Sequence, residues 1–171
     1  MAFIVVVDAS ARGHLVVRFM VISALVALSS PFVVFESERY SFEVPRGWAV
    51  GRETPWGARD VIPERGAGKL GAMTAGPTRA SWDDLYRTSL YFIKREADGK
   101  ETPYRVGKTK GGYESISFEI INNQGWADRR YTLIRNKRGY ALALSVKIPS
   151  REAEADYVRW FSHMVNTARL K

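Results

Sequence analysis

The segment from Gly112 to Leu170 carries the clearest secondary-structure pattern in the chain and reads GYESISFEIINNQGWADRRYTLIRNKRGYALALSVKIPSREAEADYVRWFSHMVNTARL. It opens with apolar and polar side chains in alternation, which is typical of a half-buried strand. Two segments that contain Asn and Gly interrupt the pattern, and both residue types tolerate the positive φ angles of tight turns. The pattern therefore predicts a three-strand antiparallel meander, with turns at Asn122–Gly125 and Asn136–Gly139 and strands at Tyr113–Ile121, Trp126–Arg135 and Tyr140–Lys147.

The two faces of the third strand differ in side-chain size. Tyrosine, leucine and valine occupy one face, whereas the other carries only Ala141, Ala143 and Ser145. A strand typically presents small residues where a helix lies close against it. We therefore expect the helix that closes the chain to pack on these small residues.

The last segment predicts that helix. Pro149 ends the strand, Ser150 is a favourable N-cap, and carboxylates follow in the first two turns, where the helix dipole favours negative charge. His163 lies off the apolar side of the helix, so we expect it to be solvated. The apolar side itself is a single stripe at helical spacing, formed by Ala153, Tyr157, Trp160, Phe161, Met164, Val165 and Ala168.

The segment 1–29 has the features of a secretory leader. Arg12 and Arg18 precede the apolar run Phe19–Leu28, and Ala27 and Ser29 supply the small residues of a cleavage site. The sequence therefore predicts a signal peptide over 1–29 and export to the periplasm or the exterior. Two alternatives stay open: an uncleaved membrane anchor over 19–35, or translation that begins near Val17.

The remainder, 36–171, has the length and apolar content of one globular domain. A short strand at Tyr40–Val44 runs into a turn at Pro45–Gly47. Ser81, with Asp84 three residues later, predicts the capping box of a helix that ends near Asp98. Between these lie two short predicted strands, Val61–Ile62 and Leu70–Met73, joined by a hairpin at Arg65–Gly68.

Composition argues against several kinds of chemistry. The chain has a formal charge of +8, a pI near 9.9, no cysteine and 2 histidines, of which His14 lies in the leader. The lack of thiols excludes disulfides, thiolate nucleophiles and cysteine-ligated zinc. A single remaining imidazole, His163, argues against a Ser-His-Asp triad and a His-rich zinc site. We therefore expect no cofactor, no metal and no enzymatic activity.

Motifs that suggest catalysis have structural explanations. Gly66–Gly71 matches the string G-x-G-x-x-G, but the residues that follow cannot continue as the helix that a dinucleotide fold requires, so a hairpin is favoured. The carboxylate pairs Asp83/Asp84 and Glu152/Glu154 fall at helix N-termini, where the helix dipole accounts for them. A hydrolase or transferase that brings Asp60 and Glu64 into a shared pocket remains an alternative.

A cluster of basic and aromatic residues around the second strand is the candidate binding surface: Trp126, Arg129, Arg130, Arg135, Lys137 and Arg138. Such residues on a sheet can contact phospholipid or nucleic acid, although the leader argues against nucleic acid. The alternative is that the charges at the hairpin tip only keep it soluble. Tyr131, which shares a face with Leu133, is expected in the core.

The order of these elements resembles the PsbP-like group. The residues that carry the resemblance are Tyr40-Ser-Phe-Glu-Val-Pro-Arg-Gly-Trp48, Gly139-Tyr140 and Trp160-Phe161 followed by Val165. The group includes the extrinsic photosystem protein PsbP, a nuclear protein that binds the Ran GTPase, and bacterial exported proteins. The resemblance covers 36–170 and implies an α+β fold, an antiparallel sheet flanked by helices in an α/β/α sandwich. It implies no shared catalytic site.

Together these observations predict an exported, non-enzymatic accessory or binding protein of the bacterial cell envelope, with an envelope protein as its partner. Two alternative functions remain. The protein could use its basic charge to bind an anionic surface, either phospholipid or nucleic acid, or it could be a hydrolase that uses carboxylates.

Overall fold

The computed structural model describes residues 30–54, 58–63, 68–77, 80–95 and 98–171. The predicted leader, Glu64 and the hairpin residues before Gly68 lie outside these ranges. The residues from Pro31 to Lys171 form one compact unit. Its elements in chain order are β1 Phe32–Glu36, β2 Tyr40–Pro45, β3 Ala49–Val50, β4 Ala58–Ile62, β5 Lys69–Pro77, α1 Trp82–Ile93, β6 Lys100–Glu101, β7 Arg105–Lys108, β8 Glu114–Ile121, β9 Ala127–Arg135, β10 Tyr140–Lys147, α2 Glu154–Thr167 and β11 Arg169–Leu170.

The larger sheet is antiparallel, with the strand order β3-β4-β5-β10-β9-β8 and with β6 and β7 both paired to β8. The predicted meander, β8 to β10, forms its centre. Gly125 and Gly139 close the two turns with φ of +80° and +85°. Their N–H groups donate to the carbonyl oxygens of Asn122 and Asn136, each at 3.0 Å. The predicted α+β fold and both turns are confirmed.

A smaller sheet has the order β1-β2-β11. β1 begins ahead of Glu36, the predicted start of the domain, and all of it except Glu36 falls within 19–35, the alternative membrane anchor. β11 pairs with β2 through Arg169–Ser41 and Leu170–Tyr40. In the described part of the chain, no helix combines the length and the apolar character needed to cross a membrane.

The two helices cover opposite faces of the larger sheet. α2 buries Tyr157, Phe161 and Met164 in the main core, together with the large residues of β10. Ala143, from the small face of β10, instead contributes to a second cluster beneath α1. The expectation that the closing helix packs on the small residues is therefore wrong. The core beneath α2 also receives Phe42 and its neighbours from β2, so large side chains are needed to fill it.

Local capping decides where each helix begins. In α1 the predicted capping box is confirmed: the Asp84 N–H donates to Ser81 Oγ at 3.1 Å, and the Ser81 N–H donates to the Asp84 carboxylate at 3.3 Å. α2 begins later than predicted, because Ala153 and not Ser150 is its N-cap residue. The Ser150 side chain is hydrogen-bonded to the Glu152 carboxylate, which holds the pKa of Glu152 below its usual range.

Candidate anion-binding cleft

The structure separates the six residues of the predicted binding surface. Trp126 precedes β9 and packs on the main core, whereas Arg135 ends that strand. Nine residues of strand separate the two positions by about 30 Å at about 3.3 Å per residue. Lys137 and Arg138 lie in the hairpin beyond Arg135 and are exposed. The basic–aromatic cluster is therefore not one surface.

Two of the five arginines and lysines are placed away from the hairpin. Arg129 and Arg130 are adjacent in β9 and so point to opposite faces of the sheet. Arg130 bridges two carboxylates, Glu119 at 2.9 Å and Glu154 at 2.6 Å, and thereby ties the sheet to the start of α2. Tyr131 stacks on Phe118 with 5.1 Å between ring centroids. The expectation that Tyr131 belongs to the core is confirmed.

The other three basic residues line an open cleft of about 880 Å³ at one end of the larger sheet. Three backbone segments form its walls: the turn from Lys108 to Glu114, the hairpin from Arg135 to Gly139, and the last residues, Leu170 and Lys171. The turn is closed by the Gly112 N–H, which donates to the Thr109 carbonyl at 2.9 Å. We refer to this region as the basic cleft.

Two cations of the basic cleft already have partners within the chain. Arg135 lies over the Trp82 ring at 4.2 Å and donates to the Ala80 carbonyl at 3.1 Å and to Glu114 at 3.3 Å. Lys171 donates to the Glu36 carboxylate at 2.8 Å, which holds the pKa of Glu36 below its usual range. Arg135 is therefore held at the edge of the cleft by several contacts, whereas Lys171 makes an exposed ion pair.

The remaining cations of the cleft, Lys108, Lys137 and Arg138, are exposed, and none of them forms an ion pair with any described residue. Glu114 is the acidic side chain in the lining, and it is engaged by Arg135. The cleft therefore concentrates positive charge, which favours an anionic ligand.

Three residues of the basic cleft are not indicated by the sequence. Lys108 and Tyr113 reach it through the Gly111–Gly112 turn, and Lys171 reaches it because β11 pairs with β2. The Leu170 N–H donates to the Tyr113 hydroxyl at 3.1 Å and so anchors the end of the chain beside the cleft. Two adjacent glycines are a signal for a turn, but no local signal indicates which turns meet.

The carboxylates considered for catalysis have structural partners. Asp60 is exposed and accepts from Lys69 at 3.2 Å, and Glu64 lies outside the described residues. Asp83 accepts a hydrogen bond from the Tyr104 hydroxyl at 2.6 Å, which raises the pKa of Tyr104. Asp84 belongs to the capping box, as predicted.

The described glycines of the G-x-G-x-x-G string have packing explanations. Gly71 lies inside β5, so the string does not open a helix. A Cβ at Gly71 would lie 2.5 Å from Ser145 Oγ, and one at Gly68 would collide with the Tyr157 ring. β4 and β5, which flank the predicted hairpin, pair antiparallel.

His163 is not a solvated surface residue, and this expectation is wrong. Its ring stacks on Phe32 with 3.6 Å between centroids, and its Nε2 lies 2.7 Å from a Glu43 carboxylate oxygen. The smaller sheet therefore covers a side of α2 that its own sequence predicts to be open.

Comparison with known proteins supports the fold. No family model and no curated protein matches the sequence. Among solved structures, the Ran-binding protein Mog1p of Saccharomyces cerevisiae is 13% identical, with a TM-score of 0.56 over 81% of this chain and 95% of that one. Cyanobacterial PsbP (CyanoP) of Synechocystis is 11% identical, with a TM-score of 0.59 over 82% of this chain and 93% of that one.

The chain has the PsbP/Mog1-like fold. A mutant of Mog1 also matches, at 12% identity and a TM-score of 0.53 over 81% of this chain and 94% of that one. The resemblance inferred from the sequence is thus confirmed at the level of fold. Similarity at this identity carries no assignment of function to this chain.

Proposed function

We propose that this chain is an exported, non-enzymatic binding protein of the bacterial cell envelope, and that its basic cleft binds an acidic segment of a partner protein. The observation that carries the proposal is the convergence of Lys108, Lys137 and Arg138, which have no carboxylate partner in the described part of the chain. Two of them are neighbours in one hairpin, and a bound anion would relieve their mutual repulsion.

The shape of the cleft supports a peptide ligand more than a compact ion. It is open along one side and walled by turns, and Gly111, Gly112 and Gly139 place no side chains between the cations and a ligand. The fixed guanidinium of Arg135 adds a rigid charge at its edge. One of the structures with this fold is described as a Ran-binding protein, so protein binding is within the range of the fold.

The non-enzymatic part of the proposal is supported by the sequence and by the placement of the carboxylates. The chain lacks cysteine, and His163 is engaged by Glu43. Asp60 and Asp84, two carboxylates considered for catalysis, are held in an exposed ion pair and in a helix cap.

The binding test uses a labelled oligoglutamate peptide and fluorescence anisotropy at low and at physiological ionic strength. The double variant Lys137→Glu/Arg138→Glu should bind about tenfold more weakly than the unmodified protein, which corresponds to about 1.4 kcal/mol. The matched control, Arg87→Glu/Arg151→Glu, makes the same change in net charge at exposed positions outside the cleft. It should alter binding by less than about twofold, because distant surface charges are screened.

Equal losses in the two double variants would refute the cleft as the binding site, because binding would then follow net charge alone. Vesicles of anionic phospholipid provide the competing case. If the two double variants lose vesicle binding to the same extent and the unmodified protein does not bind the peptide, the function is attraction to anionic surfaces and not recognition of a partner protein.

Export is tested separately by expressing the protein in a bacterial host from its own start codon, followed by intact mass and cell fractionation. A chain that begins near Ser30 and is found outside the cytoplasm would support the proposal. A full-length chain in the membrane fraction would favour the anchor, and a full-length chain in the cytoplasm would contradict export.

A further inference from the structure

Three aromatic rings meet at the opposite end of α2 from the basic cleft. Trp48 follows the turn at Pro45–Gly47, in which Gly47 adopts φ of +83°. Tyr157 and Trp160 project from one side of α2. The Trp48 and Trp160 rings lie edge to face with centroids 5.0 Å apart, and Tyr157 lies 5.1 Å from Trp160 and 5.8 Å from Trp48. The three ring planes are inclined to one another by 56–72°, so the rings enclose a corner.

This corner lines an open pocket of about 430 Å³. Tyr157 is buried at its base and only 6% exposed, whereas Trp48 and Trp160 are half-buried and contribute accessible ring surface. Pro63 and Ala153 complete the apolar lining. The rings are therefore packed on the main core on one side and open to a ligand on the other.

Charged groups of both signs stand at the rim of the pocket. Asp156 lines it from α2, and Arg46 lines it from the turn. Asp156 is also paired with Arg159 at 2.9 Å, but the pair is exposed, and such pairs contribute little to stability.

We propose that the aromatic pocket binds a quaternary ammonium group that carries a neighbouring anionic group, the chemistry of phosphocholine. Aromatic faces attract organic cations that are large and weakly hydrated, and several rings at one corner with a nearby carboxylate strengthen that attraction. Trp48, Trp160 and Asp156 supply this half of the site. Arg46 supplies the half for the phosphate.

Aromatic rings also bind uncharged apolar groups. The test therefore compares a cationic ligand with a neutral ligand of the same shape. Isothermal titration calorimetry compares phosphocholine, choline and 3,3-dimethylbutanol, which has the shape of choline but no charge. Choline should bind about threefold or more tightly than the neutral compound, as expected for a cation on partly exposed rings. Phosphocholine should bind more tightly than choline, and Arg46→Gln should remove that difference.

Variants of the pocket locate the binding. Asp156→Asn and Trp160→Phe should each weaken phosphocholine binding, the first without loss of packing and the second with a smaller ring. The control is Trp126→Phe, a half-buried tryptophan outside the pocket, which should leave binding unchanged. Circular dichroism confirms that each variant is folded, and if Trp160→Phe does not fold, Asp156→Asn and the three-ligand comparison decide.

Cosedimentation with phosphatidylcholine vesicles shows whether the phosphocholine group that binds belongs to a lipid or to a free molecule. Vesicle binding that soluble phosphocholine displaces would assign the site to a lipid headgroup, and binding of soluble phosphocholine without vesicle binding would assign it to a free ligand. The proposal is overturned if the neutral compound binds as tightly as choline, or if phosphocholine binding is absent or insensitive to both pocket variants. None of these variants alters the basic cleft, so this result is independent of the proposed function.

Discussion

Replacement of Phe161 by alanine tests the packing of α2 on the large face of β10. Phe161 is 5% exposed and lies in the main core with Met164, which is 0% exposed. Burial of a phenylalanine side chain contributes about 1.5–3 kcal/mol. The cavity left by its removal brings the expected loss of unfolding free energy to about 3–5 kcal/mol. Since small domains are stable by about 5–15 kcal/mol, the variant should lose a large share of its stability.

The matched control is Phe92→Ala in α1, where the same side chain is 54% exposed. Its removal should cost about 1 kcal/mol or less, because most of the ring already contacts water. Urea denaturation followed by far-UV circular dichroism gives the free energy of unfolding of both variants. Losses of equal size would refute the assignment of the α2 stripe to the core.

Other predictions follow from local contacts. Ser81→Ala removes the N-cap of α1 and should lower the free energy of unfolding by about 1 kcal/mol, measured by urea denaturation. Hydrogen bonds from Ser81 hold the pKa of Asp84 below its usual range, so the stabilisation from Asp84 is complete above about pH 4 and is lost as the pH falls through the lower pKa of the folded state. The stability advantage of the unmodified protein over Asp84→Asn should therefore be constant near neutral pH and shrink in acid; an advantage that grows in acid would contradict this sign. Gly68→Ala places a Cβ against the Tyr157 ring and should cost about 1–3 kcal/mol in a thermal melt. Gly107→Ala, where the nearest atom is Ser115 Oγ at 3.6 Å, should have little effect and serves as its control.

Features that depend on a few neighbouring residues could be predicted from the sequence. The turn at Gly139 follows from the preference of glycine for positive φ, and the capping box follows from Ser81 and Asp84 at a fixed spacing. The core positions of β8 and the apolar stripe of α2 follow from the periods of a strand and a helix. The order of these elements indicated the resemblance to the PsbP-like group and, with it, the α+β class.

Features that depend on contacts between distant segments could not be predicted. Ser150 has the chemistry of an N-cap, yet its side chain is engaged by Glu152 and the helix begins at Glu154. The two residues of β11 are too few to show a period, and they are a strand only because β2 lies beside them. His163 is polar on the helix surface, but Phe32 covers it from another sheet.

The candidate site shows the same division. The sequence indicated that Arg135, Lys137 and Arg138 cluster, because they lie at one hairpin. It also grouped Trp126 with them, which the length of β9 prevents. Lys108 and Lys171 join the hairpin only in the folded chain.

The three strands of the meander, their two turns and the apolar stripe of α2 follow from the sequence alone, since each depends on backbone preferences and on the spacing of apolar residues over a short segment. The tertiary structure decided which face of β10 each helix covers, which cations gather at the basic cleft, and which rings meet at Trp48. Those outcomes depend on packing between segments far apart in the chain, where the requirement to fill the core without voids selects one arrangement.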